Sequence, residues 1–289
     1  MYSLLLVGVT MVWGWTFVVV RDAVALYGVL PFLTLRFALA ALALAPYTVS
    51  RVSRRTLAAG TGIGLVLALA YLFQTAGLLF TSPTNSGLIT GLFVVFAPLA
   101  DFIFFGARPS RPVLVAVLLS LVGIGFLAGG GPNGANLGDV FTLLCAGALG
   151  LHIALLSRYA ARHDAAGLAF VQVLSIAVVF GLFWLLSGPV ALPPREVWFA
   201  LVATGLIASA GAFWMQTFVQ QRISAGRTAV ILTMEPVFAV LFGYWLAGDR
   251  LISVQMVGAA LILSALVVGE VVPALVRRSK SQQKGDVPQ

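Results

Sequence analysis

The sequence predicts an all-α polytopic membrane protein, with ten transmembrane helices arranged as two five-helix inverted repeats. Three observations carry that prediction. Of the 289 residues, 61% are hydrophobic and 9% charged, and the mean hydropathy is +1.05. Soluble domains hold roughly 45–50% apolar and about 25% charged residues, so water cannot be the solvent for most of this surface. Ten apolar runs approach the roughly 20 residues that cross about 30 Å of hydrocarbon. The two halves of the chain also resemble each other at a nearly constant offset.

The runs are 3–20, 30–49, 57–80, 84–105, 113–129, 138–156, 167–187, 197–220, 227–247 and 253–273. Polar or helix-breaking punctuation ends each in turn: Arg21-Asp22, Ser50 to Arg55, Thr81-Ser82-Pro83, Ala107 to Pro112, and Gly129 to Asn136. Arg158 to Asp164, Gly188 to Glu196, Arg222 to Gly226 and Gly248-Asp249-Arg250 follow. Helices are preferred to a barrel because the runs are continuous and do not alternate. Met1 to Leu6 lacks a basic n-region, so the first run is expected to belong to the fold rather than to a cleaved leader. The fifth and tenth runs, the richest in uninterrupted aliphatics, belong at the periphery.

Orientation follows from Lys and Arg. The segments 50–56, 107–112, 157–166 and 221–227, with the tail, hold 13 of the 17 basic residues. The opposite loops hold Arg21, Arg195 and Arg250, and Arg36 lies within a span. The positive-inside rule then puts both termini in the cytoplasm. A pI near 10.4 does not imply nucleic acid, because these charges form no basic face. One cysteine, Cys145, excludes an internal disulfide framework.

Tyr71-Leu72-Phe73-Gln74-Thr75 precedes Phe213-Trp214-Met215-Gln216-Thr217 by 142 residues, and Gly106-Ala107-Arg108 aligns with Gly248-Asp249-Arg250 at the same offset. At 136, Gly14 meets Gly150 and Arg36 meets Gln172. The expected division is a first repeat over 1–136, a second over 137–273, and a polar cytoplasmic tail over 274–289. Five spans per half force the second copy to enter the membrane with opposite polarity. That is the layout of secondary transporters, which bind substrate near midplane between the repeats.

Trp13-Gly14-Trp15-Thr16-Phe17, Pro31 with Leu35-Arg36-Phe37, and Thr84-Asn85-Ser86-Gly87-Leu88 with Pro98 resemble the first repeat of EamA-type carriers. Met234-Glu235-Pro236, Gly248-Asp249-Arg250-Leu251 and Gly258 to Leu263 resemble the second. These carriers belong to the drug/metabolite transporter superfamily. Within it the chain most resembles the YddG-like exporters of aromatic and other nonpolar amino acids. The resemblance implies a bacterial inner-membrane exporter working by alternating access, with a small-molecule substrate, a lipid bilayer around it and room for an oligomer. Export of drugs or other metabolites is the alternative within the family. Ala107 departs from the pattern, which often has an acid before Arg108; Asp249 keeps one in the second repeat.

Polar groups inside spans are functional candidates by default. Glu235 precedes a helix-kinking proline and is a candidate for proton coupling or for a helix-bridging carboxyl; its repeat counterpart, Phe93, carries no acid. Arg36 either meets a substrate carboxylate or snorkels outward to anchor helix ends. Asp101 is expected to pair with Arg108. Gln74 and Gln216, related by the repeat, either bind the ends of a zwitterion or cross-link spans. Asn85 and Thr84 are candidates to cap the fourth helix. Trp13, Trp15, Tyr71, Phe93 and Trp214, with His152, the sole histidine within a span, complete the expected substrate wall.

No HExxH, nucleophile-elbow or phosphate-loop motif is present. One Cys and two distant His offer no metal site. The sequence therefore predicts no enzyme, no cofactor and no nucleic-acid partner. A channel is disfavoured because nothing marks a selectivity filter.

Overall fold

A computed structural model of the chain describes residues 2–106, 108–109, 111–129, 136–187, 190–222 and 231–268. Among these residues every regular element is helical. The order is α1 Tyr2–Tyr27, α2 Val29–Thr48, α3 Arg54–Gly77, α4 Pro83–Thr90, α5 Phe93–Phe105 and α6 Arg111–Gly129. There follow α7 Leu137–Tyr159, α8 Ala165–Ser187, α9 Trp198–Val202, a π-helical segment Ala203–Gly211 and α10 Ala212–Gln220. Two further helices, α11 Met234–Leu246 and α12 Ser253–Leu266, close the described chain. Seven helical stretches among the described residues are long and apolar enough to cross a membrane. Three shorter apolar helices, Leu114–Leu127, Met234–Leu246 and Ser253–Leu266, accompany them.

The structure corrects the sequence reading in two places and adds internal breaks to two of its spans. Arg21-Asp22 does not end the first span: the two side chains pair at 2.9 Å and α1 runs on to Tyr27. Gly28 then turns the chain at φ +89, in the left-handed region that favours glycine. The fourth span is two helices, α4 and α5, broken at Gly91-Leu92. The Pro236 ring crowds that break, since a Cβ on Gly91 would lie 2.7 Å from its Cγ. The eighth span is interrupted by the π segment. Finally, Asp101 and Arg108 form no ion pair; the ion pairs among described residues are Arg21–Asp22 and Arg51–Asp164. The start of the ninth run, the end of the tenth and the expected tail lie outside the described residues.

Ser82, and neither Asn85 nor Thr84, caps α4, its Oγ accepting the Asn85 N–H at 3.1 Å. Asp249 reaches the same helix start from the far end of the sequence, accepting the Thr84 N–H at 2.9 Å. A negative side chain there complements the positive end of the helix dipole.

Close helix contacts recur at the offsets seen in the sequence. A Cβ on Gly14 of α1 would come within 2.6 Å of the Phe238 Cβ and 2.8 Å of the Ala239 nitrogen on α11. One on Gly150 of α7 would come within 2.7 Å of the Phe96 Cβ and 2.9 Å of the Ala97 nitrogen on α5. Two further close approaches follow: a Cβ on Gly64 would lie 2.9 Å from the Gln172 Cα of α8, and one on Gly205 of the π segment 2.9 Å from the Arg36 carbonyl oxygen of α2. Small residues let backbones approach where lipid offers no hydrophobic drive to assemble. The helices α6 and α12 pack on each other through Gly123, Gly258 and Ile262, and both leave many apolar side chains exposed, as expected for the periphery.

Three buried apolar clusters result. The first gathers α2, α8 and the later parts of α1 and α3, the second α4, α5, α6 and α12, and a small third holds Ile63, Leu156, Ala160 and Leu168. Trp13 and Leu149, residues 136 apart, pack against the first two. The space between those two holds the cavity.

Candidate functional site

A partly open cavity lies among these helices, walled by thirteen residues. Each wall is one helical face. Trp13, Thr16 and Phe17 come from α1, and Leu149, His152 and Ile153 from α7, both at spacings of three and one. Tyr71 and Gln74 come from α3, with Phe213 and Gln216 from α10, again three apart. Phe93 and Glu235 stand just after the chain breaks that precede α5 and α11, and Leu232 completes the wall.

The aromatic part of the wall is tightly coupled. Phe213 touches three cavity residues: ring centroids lie 5.6 Å from Trp13, 6.1 Å from Tyr71 and 6.5 Å from His152. The polar groups are held from behind. Trp13 Nε1 donates to the Ala208 carbonyl at 2.9 Å, a group of the π segment. His152 Nε2 and Gln172 Oε1 are 2.8 Å apart, and Gln172 Nε2 donates to the Leu168 carbonyl at 3.2 Å. Thr16 donates back to the Trp13 carbonyl at 2.7 Å.

Two further polar side chains line the cavity. Gln216 is 2% exposed, and its Oε1 has no hydrogen-bond partner among the described residues. Glu235 is 5% exposed and forms no ion pair with any described residue. A buried carbonyl oxygen and a carboxyl therefore offer acceptors to a ligand donor. No cluster of metal-ligating side chains occurs among the described residues.

Seven of the expected residues meet here: Trp13, Tyr71, Gln74, Phe93, His152, Gln216 and Glu235. Three do not. Trp15 turns away and packs edge-on against Phe199 at 6.1 Å, because two residues along a helix lead to a different face. Trp214 is 44% exposed on the outside beside Phe218, and its neighbour Phe213 takes the place expected of it. Asn85 is buried in α4, away from the cavity wall. The expected site left out Thr16, Phe17, Leu149, Ile153, Phe213 and Leu232. For all but Leu232, the spacing from Trp13, His152 and Gln216 was a usable signal.

Arg36 neither snorkels nor faces lipid. It is 2% exposed, its Nε donates to Ser209 Oγ at 2.9 Å, and its guanidinium carbon lies 4.8 Å from the Tyr71 ring centre and 5.2 Å from that of Phe37.

A family model, the EamA-like transporter family, matches this chain twice, over residues 1–129 and 136–268. An "Uncharacterized transporter" of Archaeoglobus fulgidus is 34% identical over 260 residues, covering 90% of this chain and 82% of that protein. A solved crystal structure shares the fold, with a TM-score of 0.70 at 19% identity over 96% of this chain and 98% of its own. Two family matches that together span nearly all the described helices make the chain a member of the EamA-like transporter family, and hence a multi-pass membrane transporter rather than an enzyme.

Proposed function

We propose that this protein is a secondary transporter that exports small amphipathic metabolites, above all aromatic and other nonpolar amino acids, by alternating access around the cavity. One observation carries the reading. Twelve of the thirteen lining residues form six pairs at the repeat offsets. Trp13, Thr16 and Phe17 match Leu149, His152 and Ile153 at 136; Tyr71, Gln74 and Phe93 match Phe213, Gln216 and Glu235 at 142. A cavity lined in equal parts by corresponding positions of two halves lies where exchange between two opposed conformations opens it to either side.

The wider reading is two five-span repeats, 1–136 and 137–273, of opposed polarity with both termini in the cytoplasm. The two family matches, the recurring glycine contacts and the breaks at Gly91-Leu92 and Thr233 support it. Those breaks lie 142 residues apart, and discontinuous helices beside the substrate are a feature of such carriers. The aromatic wall suits an apolar side chain, while Gln74, Gln216 and His152 suit its polar ends. Glu235 is the group proposed to carry the coupled proton.

The test is a panel of labelled amino acids in proteoliposomes, with and without a pH gradient. Phenylalanine, tryptophan and leucine are expected to move, and lysine and glutamate not; a panel in which none moves rejects the substrate assignment. Gln216→Ala removes one neutral hydrogen bond and is expected to weaken apparent affinity about 2- to 12-fold without abolishing transport. His152→Ala should also lower the melting temperature, because it strands Gln172 Oε1 in a buried site. Unchanged affinity in Gln216→Ala would exclude that amide from the substrate's contacts.

A further inference from the structure

Among the described residues Arg36 is a buried cation without an anion. It is enclosed by protein, no described carboxylate pairs with it, and its hydrogen-bond partners are neutral hydroxyls, those of Ser209 and Tyr71. Two aromatic faces cover the guanidinium. Burying a charge is expensive unless it is paired, so an unpaired one persists where something else supplies the counter-charge.

The place of Arg36 says what that is. Its guanidinium lies directly over the Tyr71 ring, and Tyr71 is cavity wall. Its repeat counterpart, Gln172, stands behind another cavity residue in the same manner, bonded to His152. Both positions back the cavity, but only one is charged. Elsewhere the wall carries acceptors: Gln216 Oε1, which has no hydrogen-bond partner among the described residues, and the Glu235 carboxyl. A positive group behind Tyr71, with acceptors elsewhere on the wall, gives the cavity a polarity.

The π segment fixes this arrangement. Ser209 holds the Arg36 side chain and Ala208 holds the Trp13 indole, from adjacent positions of one segment. π-Helical segments inside α-helices are found frequently at functional sites.

We propose that Arg36 is the positioning residue that makes the site selective for a carboxylate: the substrate's carboxylate docks at the Tyr71 hydroxyl, and the Arg36 charge behind the ring holds it there. This deepens the proposed export of amino acids and rests on that reading. Its ligand class is the free amino acid, as opposed to the matching amide or amine.

Binding of phenylalanine and of phenylalaninamide to the purified transporter, by calorimetry, tests it. The two ligands share ring and amine and differ in the carboxylate. Wild type is expected to prefer the acid by about tenfold or more, the range of a hydrogen bond to a charged group. Arg36→Met should bring the two affinities together, and Arg36→Lys should restore part of the preference. A merely structural arginine would weaken both ligands alike. Where Arg36→Met does not yield folded protein, Ser209→Ala decides, because it frees the guanidinium and should reduce the acid preference several-fold. An unchanged acid-to-amide ratio in Arg36→Met or Ser209→Ala overturns the proposal. A wild type that binds neither compound sinks the export reading itself, and this proposal with it.

Discussion

The double variant Gly14→Val, Gly150→Val is expected to melt far below the wild-type transporter. At each position the first side-chain carbon already falls inside contact distance of backbone: 2.8 Å from the Ala239 nitrogen for Gly14, and 2.9 Å from the Ala97 nitrogen for Gly150. Backbone cannot rotate aside as a side chain does, so α1 must separate from α11, and α7 from α5. Overpacking of this kind costs typically 1–3 kcal/mol per site. The two sites lie in different helix pairs, so the costs should add. Against a total stability of roughly 5–15 kcal/mol, the sum removes a large share. Gly62→Val and Gly147→Val are the controls, since a Cβ there meets nothing within 4 Å. Thermal unfolding in detergent separates the cases. A double variant that melts with the controls would show that these helix pairs do not approach as described.

Glu235→Gln carries the second large effect. The carboxyl lines the cavity and pairs with no described cation, so a proton and a substrate can meet it in the same space. Glutamine keeps the shape and most of the hydrogen bonding but cannot take up or release a proton. Uptake driven by a pH gradient should fall to the rate measured without one, while exchange of substrate for substrate continues. If gradient-driven uptake persists in Glu235→Gln, the residue is a structural acceptor and coupling lies elsewhere. The Phe93 position bears on this directly: it is the repeat counterpart of Glu235 and faces the same cavity, yet carries no acid. A single carboxyl on one side of the wall suits a single coupled proton.

Much of this architecture can be read from residue order because lipid imposes it. A span must be apolar and helical, so hydropathy and punctuation find α2, α3, α7 and α8 within a few residues. The inward faces were legible too wherever spacing was applied with the repeat, as for Tyr71 with Gln74 and Phe213 with Gln216. Errors arose where local signals compete with tertiary ones. Arg21 and Asp22 look like a stop, yet they neutralise each other on the surface and α1 continues. The break after Gly91 lies against the Pro236 ring of a distant helix, a contact that no local pattern announces. The π segment at Ala203–Gly211 looks like any small-residue helix in sequence, since its bonding shift changes no residue type. With it went Ser209 and the Ala208 carbonyl, and so the reason Arg36 stays buried. Trp15 and Trp214 drew attention as aromatics, but helical phase puts both outside the cavity.

The central claim, that the cavity between corresponding faces is exposed alternately to the two sides, is tested most directly by counterflow. Proteoliposomes are loaded with unlabelled phenylalanine, and entry of labelled phenylalanine is followed without any ion gradient. Alternating access predicts that internal substrate accelerates entry and produces a transient accumulation, with Gln216→Ala showing the same effect at higher substrate concentration. Entry at one rate from loaded and empty vesicles would contradict the account, because a cavity open to both sides at once gives flux without that acceleration.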